Sequence, residues 1–427
     1  MIPVYEKQEA LTQLQRIIES PLNENNPELE STVRQIIEKV RTQGDRAIRE
    51  LAAQFGDSLP DAFEVPQAEV EAALARVPKE THELLARAAE NIRIFAQGVL
   101  ENLRPVHLAR GTFRVGLDWT PVNRVACYVP GGRYPLPSTA LMTAVTAQAS
   151  GVPELCIVSP SPSDIIIAAG VQAGVTQFYR VGGAQAVAAI AFGTESIRAA
   201  DMLVGPGNAY VTEAKRQLQG VIGIDMLAGP SEVLLIADAK ANPTWVALDM
   251  LAQAEHGPDS RAYMLTNDAT FAQRVQDELS RITAQETALP EYLRTTTSWG
   301  AIFCLETLEQ CAKFSNLLAP EHLELQVENP DTLKPHLKHY GALFMGYGTP
   351  VPYGDYMAGP NHTLPTGRTA RFSGCLNPLT FLRPQSWIAA GLPAQSLASD
   401  TARFAELEGL TAHALSAQAR FAPSLTV

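Results

Sequence analysis

The feature that most constrains the fold is a regular alternation of short apolar runs with helix-like segments over residues 122–345. The runs are rich in Val, Ile, Leu and Ala and are bounded by Gly, Pro or Asn, which is typical of buried strands. They occupy residues 122–129, 155–159, 177–181, 200–204, 232–238, 262–266, 301–305 and 342–345. Because strands that alternate with helices pair in parallel, the pattern predicts an α/β protein with parallel sheets.

The regions on either side of this alternation have a different pattern. Within residues 1–105, Val33, Ile36, Ile37 and Val40 repeat at helical spacing, which predicts a mostly helical N-terminal region. After Gly367 a Pro-rich stretch leads into a predicted helical tail at about residues 382–420. A chain of 427 residues is too long for one hydrophobic core, so two or three domains are expected.

Composition excludes several classes of function. The net charge is −12 and no basic cluster occurs, which argues against nucleic acid as a partner. The chain has no run of about 18 apolar residues and begins with no secretory pattern, so we expect no membrane association. The five cysteines are scattered without a CxxC pair, which indicates a reducing, cytoplasmic setting.

Two cysteines, Cys127 and Cys156, fall within predicted strands. A thiol there could serve as the nucleophile in aldehyde oxidation. Buried and inert packing is the other interpretation, and the apolar neighbours favour it.

Glycine-rich turns follow three of the predicted strands, at residues 130–132, 182–185 and 205–208. In open α/β sheets, ligands bind at the carboxyl ends of the strands, with phosphates at helix N-termini. Glycine there can also serve only to allow a tight turn, and the GxGxxG pattern is absent. Three such turns in one region favour a nucleotide-sized ligand.

The segment at residues 253–260 contains an amide and an imidazole near a helix end. Asn242 predicts the N-cap of that helix, and the Gly-Pro pair at 257–258 predicts its end. Asp249, Gln253 and His256 then share one side, opposite the apolar side. This polar stripe fits a metal or substrate site. From this segment alone, a solvated face with a histidine that complements the helix dipole is the favoured interpretation.

Residues Glu321 and His322 stand next to each other before a short predicted strand. Adjacent side chains on a strand point in opposite directions, so both would face one ligand only at a bend. In that case two bases of different pKa could serve two proton transfers. The alternative is an exposed turn.

A possible metal site joins three distant segments of the chain. Asp355 lies in a predicted loop at 353–362 that follows a strand, and such loops often carry function. With His256 and His413 as nitrogen ligands, Asp355 would complete a set that suits zinc.

Eight segments together resemble the histidinol dehydrogenase family, in the family's order. They are residues 129–132, 181–186, 205–215, 228–233, 253–260, 320–322, 361–366 and 410–413. The resemblance spans about residues 30–415. It implies two incomplete Rossmann-like parallel-sheet domains with a helical N-terminal region and an extended helical C-terminal tail. The implied parts are an N-terminal segment (1–20), a discontinuous first domain (21–127 plus 231–372), an inserted NAD-binding domain (128–230) and a dimerisation tail (373–427).

The resemblance also implies an activity, cofactors and partners. The family oxidises L-histidinol to L-histidine in two NAD-dependent steps through the aldehyde, the last steps of histidine biosynthesis. It uses Zn²⁺ and works as a homodimer whose active sites are shared between subunits.

The site residues follow from the same resemblance, position by position. Zinc would be held by Gln253, His256, Asp355 and His413. Glu321 and His322 would form the acid–base pair. Ser231 and Glu408 would contact the substrate together with His322 and the zinc ligands. NAD would be contacted by Tyr128, Gln185 and Asn208.

The chain departs from the family pattern in two places. Arg133, Tyr134 and Pro135 follow Gly132, where the family is expected to have a small residue followed by Ala-Pro. Extra arginines occur near residues 367–387. They leave open a related dehydrogenase that acts on another small alcohol, such as a sulfonated diol. A zinc hydrolase that uses Glu321 as general base is the second alternative.

Overall fold

A computed structural model of the chain describes residues 2–20, 26–55, 62–111, 113–131, 135–390 and 395–420. Its strands are β1 (Val4–Glu6), β2 (Val106–Arg110), β3 (Phe113–Pro121), β4 (Arg124–Tyr128), β5 (Glu154–Ser159), β6 (Gln177–Arg180), β7 (Met202–Val204), β8 (Gly223–Ile224), β9 (Glu232–Ala237), β10 (Arg261–Thr266), β11 (Gly300–Cys304), β12 (His322–Gln326), β13 (Ala342–Met345) and β14 (Leu382–Ala390). Its helices are α1 (Lys7–Glu19), α2 (Pro27–Phe55), α3 (Gln67–Arg76), α4 (Lys79–Glu101), α5 (Pro137–Ala149), α6 (Asp164–Gln172), α7 (Gly183–Phe192), α8 (Ala209–Leu218), α9 (Pro243–Ala254), α10 (Ala269–Gln285), α11 (Glu291–Thr295), α12 (Leu308–Leu318), α13 (Pro330–Leu333), α14 (Val351–Tyr356), α15 (Gln395–Leu407) and α16 (Thr411–Ala419).

The chain divides into two compact units. The first contains Met1–Gly98 and Val122–Phe381, and the second contains Val99–Pro121 and Leu382–Val427. Each strand predicted from the alternating pattern is present in the first unit, which confirms the α/β class. Within the described ranges, no helix is long and apolar enough to cross a bilayer.

A five-stranded parallel sheet lies in the first unit, with the strand order β6-β5-β4-β7-β8. Side chains of β4 alternate between two cores, as the period of a strand requires. Val125 and Cys127 join the core under α5 and α6, whereas Ala126 and Tyr128 join the core under α2, α7 and α8. This sheet is therefore covered on both faces, as expected for parallel strands.

A six-stranded parallel sheet in the same unit has the order β1-β11-β10-β9-β12-β13. Strand β9 lies between β10 and β11 on one side and β12 and β13 on the other. Strand β4 lies in the same way between β5 and β6 on one side and β7 and β8 on the other. The predicted pair of incomplete Rossmann-like sheets is thus confirmed, and the sheets share a topology that the sequences do not display. Val233 and Leu235 face the α9 and α10 core, and Leu234 and Ile236 face the opposite one.

The second unit is built on an antiparallel sheet of order β14-β3-β2. The tail is helical in α15 and α16, but the prediction of helix from residue 382 is wrong, because Leu382–Ala390 is a strand. Pairing with β3 decides this conformation. Trp387 packs where a Cβ on Gly116 would stand, and its Nε1 donates to Asp118 Oδ2 at 2.8 Å. The edge position of β14 tolerates Pro384.

Candidate active site

The candidate catalytic residues lie at the amino ends of two adjacent strands, β9 and β12. His322 is the first residue of β12 and pairs with Val233, so Glu321 and Ser231 stand just before the two strands. These strands form the point where the strand order reverses, which is where open sheets bind ligands. That rule places the ligand at the carboxyl ends, whereas here the polar residues gather at the opposite edge.

The His322 imidazole is held by one nitrogen, and its other nitrogen is available for chemistry. Nδ1 lies 3.1 Å from the Glu232 carbonyl oxygen, so the neutral ring carries its proton there and donates it to that oxygen. Nε2 has no hydrogen-bond partner among the described residues and lies 3.8 Å from Asp355 Oδ1. The ring is therefore oriented with a basic nitrogen toward Asp355.

Glu321 and His322 share one buried site. Their exposed fractions are 5% and 4%, so the alternative of an exposed turn is wrong. Glu321 Oε2 lies 3.5 Å from His322 Nδ1 and accepts a hydrogen bond from Glu232 N at 2.9 Å. Because β12 begins at His322, Glu321 lies outside the strand, and its side chain need not point away from that of His322. This is the bend that the sequence argument required.

Burial and charge act in opposition on this pair. Burial raises the pKa of Glu321, although the positive charge of His322 lowers it. Burial alone lowers the pKa of His322, but Glu321 and Asp355 outweigh it and raise that pKa to about 9. A cation bound to Asp355 would compete for the same carboxylate and weaken its attraction for the imidazole.

Glu232 is a residue of the candidate site that the sequence reasoning missed. Its backbone forms hydrogen bonds with both candidate catalytic side chains, and its own carboxylate accepts a hydrogen bond from Gly367 N at 3.1 Å. Burial and the nearby Glu321 raise the pKa of Glu232 to about 7. The available signal was its position directly after Ser231 within the motif at 228–233.

The polar side of α9 faces the protein interior. Asp249 and Gln253 are 7% and 2% exposed, whereas Trp245 and Leu248 on the apolar side are 48% and 47% exposed. The solvated-face interpretation is therefore wrong for Asp249 and Gln253. Hydrophobic periodicity marks the two sides of a helix, but it does not show which side a buried polar site will occupy.

The ends of α9 place His256 beyond the helix. Asn242 is the N-cap, as predicted, and its side chain accepts hydrogen bonds from Thr244 N and Trp245 N. The helix ends at Ala254, before the predicted stop at 257–258. His256 is exposed in the single chain, which leaves its ring accessible to a ligand.

Gln253 carries a buried amide that is free to bind a ligand such as a metal ion. In the described part of the chain neither amide atom of Gln253 has a hydrogen-bond partner, although both are buried. A buried amide is costly to leave unpaired, so a bound ligand would explain it. Asp355 lies on α14 rather than in the predicted loop, and its carboxylate interacts electrostatically with His256 and His322. Residues 2–420, apart from the gaps given above, contain no cluster of three or more His, Cys, Asp or Glu that could hold a metal.

The remaining predicted residues of this site belong to the second unit. His413 lies on α16 and Glu408 lies between α15 and α16, and both are exposed. The first unit by itself therefore carries Gln253, His256 and Asp355 of the four predicted zinc ligands.

The predicted NAD contacts all lie at the carboxyl edge of the five-stranded sheet. Tyr128 ends β4, and its hydroxyl accepts a hydrogen bond from Gly183 N at 3.1 Å. Gln185 is on α7, and Asn208 caps α8 by accepting from Tyr210 N and Val211 N. Tyr128 and Asn208 flank the reversal of strand order between β4 and β7. Gly132, Arg133 and Tyr134 lie outside the described residues.

The extra arginines have structural partners. Arg368 donates to the carbonyl oxygens of Ile17, Ile18 and Ser20, at the carboxyl end of α1. Arg383 donates to Pro121 O at 3.2 Å in the second unit. The suggestion that these residues select an anionic substrate is therefore not supported for Arg368 and Arg383.

The two strand cysteines are packed in the core, as predicted. Burial raises the pKa of Cys127 to about 12 and that of Cys156 to about 11. Thiols that ionise so poorly are unsuited to nucleophilic attack near neutral pH. A nucleophilic role for Cys127 and Cys156 is therefore not supported.

Comparison with known proteins gives a consistent result over the whole chain. The family model described as "Histidinol dehydrogenase" matches residues 20–421. A histidinol dehydrogenase from Prochlorococcus marinus is 42% identical over 427 residues, covering 98% of this chain and 96% of the relative. One from Hydrogenovibrio crunogenus is 40% identical over 405 residues, covering 93% of each chain. The crystal structure of histidinol dehydrogenase from Elizabethkingia anophelis has a TM-score of 0.90 at 32% identity and covers 98% of each chain.

Proposed function

The chain belongs to the histidinol dehydrogenase family, and from this premise we propose that it oxidises L-histidinol to L-histidine in two NAD-dependent steps. The observation that carries the proposal is the buried Glu321–His322 pair. It supplies two bases of different strength beside one ligand site, and two successive oxidations need such a pair.

His322 is the base for the alcohol. The Glu232 carbonyl fixes Nδ1–H, so Nε2 faces the site as the proton acceptor. Nε2 takes the hydroxyl proton as hydride leaves the carbinol carbon. It repeats this role in the second oxidation, when the aldehyde hydrate loses its proton.

Glu321 is the base for water. Its carboxylate accepts a hydrogen bond from Glu232 N, which holds it beside His322. Because burial raises its pKa, this carboxylate accepts a proton more readily than an exposed glutamate. It removes a proton from the water that hydrates the aldehyde, and no cysteine nucleophile is then needed.

Gln253, His256 and Asp355, together with His413, are the residues proposed to hold Zn²⁺. The ion would bind the imidazole and amine of the substrate and so fix the position of the carbinol carbon. NAD, proposed to bind at Tyr128, Gln185 and Asn208, would accept the hydride in each step. The buried amide of Gln253, which has no hydrogen-bond partner among the described residues, supports the zinc site. The position of the turns before α7 and α8, at the carboxyl edge of the five-stranded sheet, supports the NAD site. Ser231 and Glu408 are proposed substrate contacts.

The proposed assembly is a homodimer in the cytoplasm, with His413 and Glu408 completing the partner's site. Apolar side chains on the tail helices are exposed in the single chain, with Phe404 at 64%, Leu407 at 80% and Leu415 at 60%. Exposed apolar clusters of this kind mark protein–protein contacts. All five cysteines, each within the described ranges, are free, which suits a reducing compartment.

The activity is tested by measuring product stoichiometry. Purified protein loaded with zinc is expected to make two NADH for each L-histidinol consumed, because both oxidations occur at one site. Turnover of a sulfonated diol without activity on L-histidinol would reject the proposed substrate. Hydrolysis of a test amide or ester without NADH formation would reject the whole reaction class.

The shared site is tested by mixing two inactive variants. His413→Ala lacks a ligand donated by the tail, and His322→Ala lacks the base of the first unit. If sites are shared, mixed dimers regain activity at one of their two sites. Proven mixed dimers that remain inactive would reject the sharing.

A further inference from the structure

A buried ion pair holds the glycine turn between β7 and α8. Lys215 on α8 is 2% exposed and the side chain of Asp225 is 0% exposed, with Nζ and Oδ1 separated by 2.5 Å. Burying two charges is unfavourable unless further hydrogen bonds satisfy them. Here Met226 N donates to Asp225 Oδ1 at 2.7 Å, and two further bonds involve the backbone of Gly205.

Both peptide groups of Gly205 are bound by this pair. Lys215 Nζ donates to Gly205 O at 3.0 Å, and Gly205 N donates to Asp225 Oδ2 at 2.7 Å. Gly205 has φ of +111°, a conformation that side chains rarely adopt. A Cβ at this position would come within 2.3 Å of Tyr128 O. The ion pair therefore fixes an unusual backbone conformation directly against the end of β4.

The clamped residue stands at the edge where the dinucleotide is proposed to bind. Gly205 follows β7, and Asn208 begins α8 three positions later in the same turn. Tyr128 also contacts the turn before α7 through its hydroxyl. The pair thus holds the turn that lies beside the two proposed NAD contacts, Tyr128 and Asn208.

We propose that Lys215 and Asp225 are positioning residues that hold the turn at 205–208 in the shape that binds NAD. An apolar pair could fill the same volume with similar stability, but it could not hold both peptide groups of Gly205. The inference rests on the proposed NAD site. It adds two residues that do not touch the cofactor themselves but set its affinity.

The test is the double variant Lys215→Met/Asp225→Asn, which removes both charges and keeps similar side-chain volumes. NAD binding, measured by titration calorimetry on the zinc-loaded protein, is expected to weaken about 10-fold or more, the effect of losing buried hydrogen bonds to charged groups. Binding of L-histidinol, measured separately, is expected to weaken less than NAD binding, since neither Lys215 nor Asp225 is among the proposed substrate contacts.

A second ion pair provides the control, in which the Arg124 side chain is buried and the Glu154 side chain is 39% exposed. Arg124 and Glu154 open β4 and β5 at the amino edge, 2.9 Å apart, with the Arg124 side chain 5% exposed. Arg124→Met/Glu154→Gln should lower the melting temperature without changing NAD affinity. Equal weakening of NAD binding in both double variants would overturn the inference, because it would show only a general loss of stability.

The remaining outcomes separate the inference from the proposed function. If the wild-type protein does not bind NAD, the proposed cofactor fails and the inference fails with it. If wild type and Lys215→Met/Asp225→Asn bind NAD equally, only the inference is overturned. Should the double variant not fold, Asp225→Asn alone decides. It keeps the size of the side chain but replaces one of the two accepting oxygens by an NH2 group, so the bond to Gly205 N or the bond to Lys215 is lost. Unchanged NAD affinity would therefore overturn the proposal.

Discussion

Replacing His322 by asparagine separates the two roles of its ring. The amide nitrogen of Asn occupies the place of Nδ1 and can still donate to the Glu232 carbonyl, at the 3.1 Å contact seen for histidine. Nothing in Asn replaces Nε2, the nitrogen that faces the site. The variant therefore keeps the local packing and loses the base. Loss of a general base lowers the rate about 10² to 10⁴-fold, or roughly 3–5 kcal/mol of transition-state stabilisation.

The assay for His322→Asn is steady-state NADH formation from L-histidinol, with the melting temperature measured alongside. We expect kcat to fall by about 10² to 10⁴-fold while the melting temperature stays close to that of the wild type. His339→Asn is the matched control, because His339 Nδ1 also contacts a backbone carbonyl, Asn316 O at 3.0 Å, away from the site. A fall in kcat of less than about tenfold in His322→Asn would refute the role of Nε2 as the base.

Two further predictions concern buried polar groups around the site. Gln253→Ala should reduce zinc bound per subunit, measured by mass spectrometry of the metal, with little change in melting temperature of the metal-free protein, because the lost amide has no protein partner there. Zinc content equal to wild type would reject Gln253 as a ligand. Burial, with Asp249 nearby, raises the pKa of Glu324, and burial raises that of Asp249 to about 6. Because these carboxyl groups bind protons more tightly in the folded protein, they stabilise it most at a pH below about 4, their pKa in the unfolded chain. This stabilisation is lost as the pH rises through 6 and above. Glu324→Gln should therefore flatten the fall of melting temperature with rising pH, and parallel profiles would contradict this.

Local sequence signals predicted most of the secondary structure, because they act over a few residues. The apolar runs located most strands of both parallel sheets, although the short strands β1 and β8 were not identified, and Asn242 marked the start of α9 through its side-chain cap. The strand at Leu382–Ala390 escaped prediction because its conformation depends on β3, far away in the chain. The hairpin strands β2 and β3 were likewise not identified, although Phe113, Val115 and Leu117 alternate with polar or small residues.

The candidate site was predictable only in part. Ordered motifs identified Glu321, His322 and Gln253, since each stands in a segment that resembles one family. The motifs did not show that Glu232 holds both catalytic side chains through its backbone. Backbone hydrogen bonds carry no side-chain signature, so a sequence pattern cannot assign them.

By itself, the sequence determined the α/β class, the family and the identity of the candidate catalytic residues, because periodicity and motif order are properties of the linear chain. Only the tertiary structure decided that the polar side of α9 turns inward and that Gln253 is buried with no hydrogen-bond partner among the described residues. It also decided that Arg368 binds the end of α1 and that Lys215 and Asp225 clamp Gly205. Each of these depends on which groups meet after distant segments pack, and the free energy of a buried polar group depends on the partners it finds there.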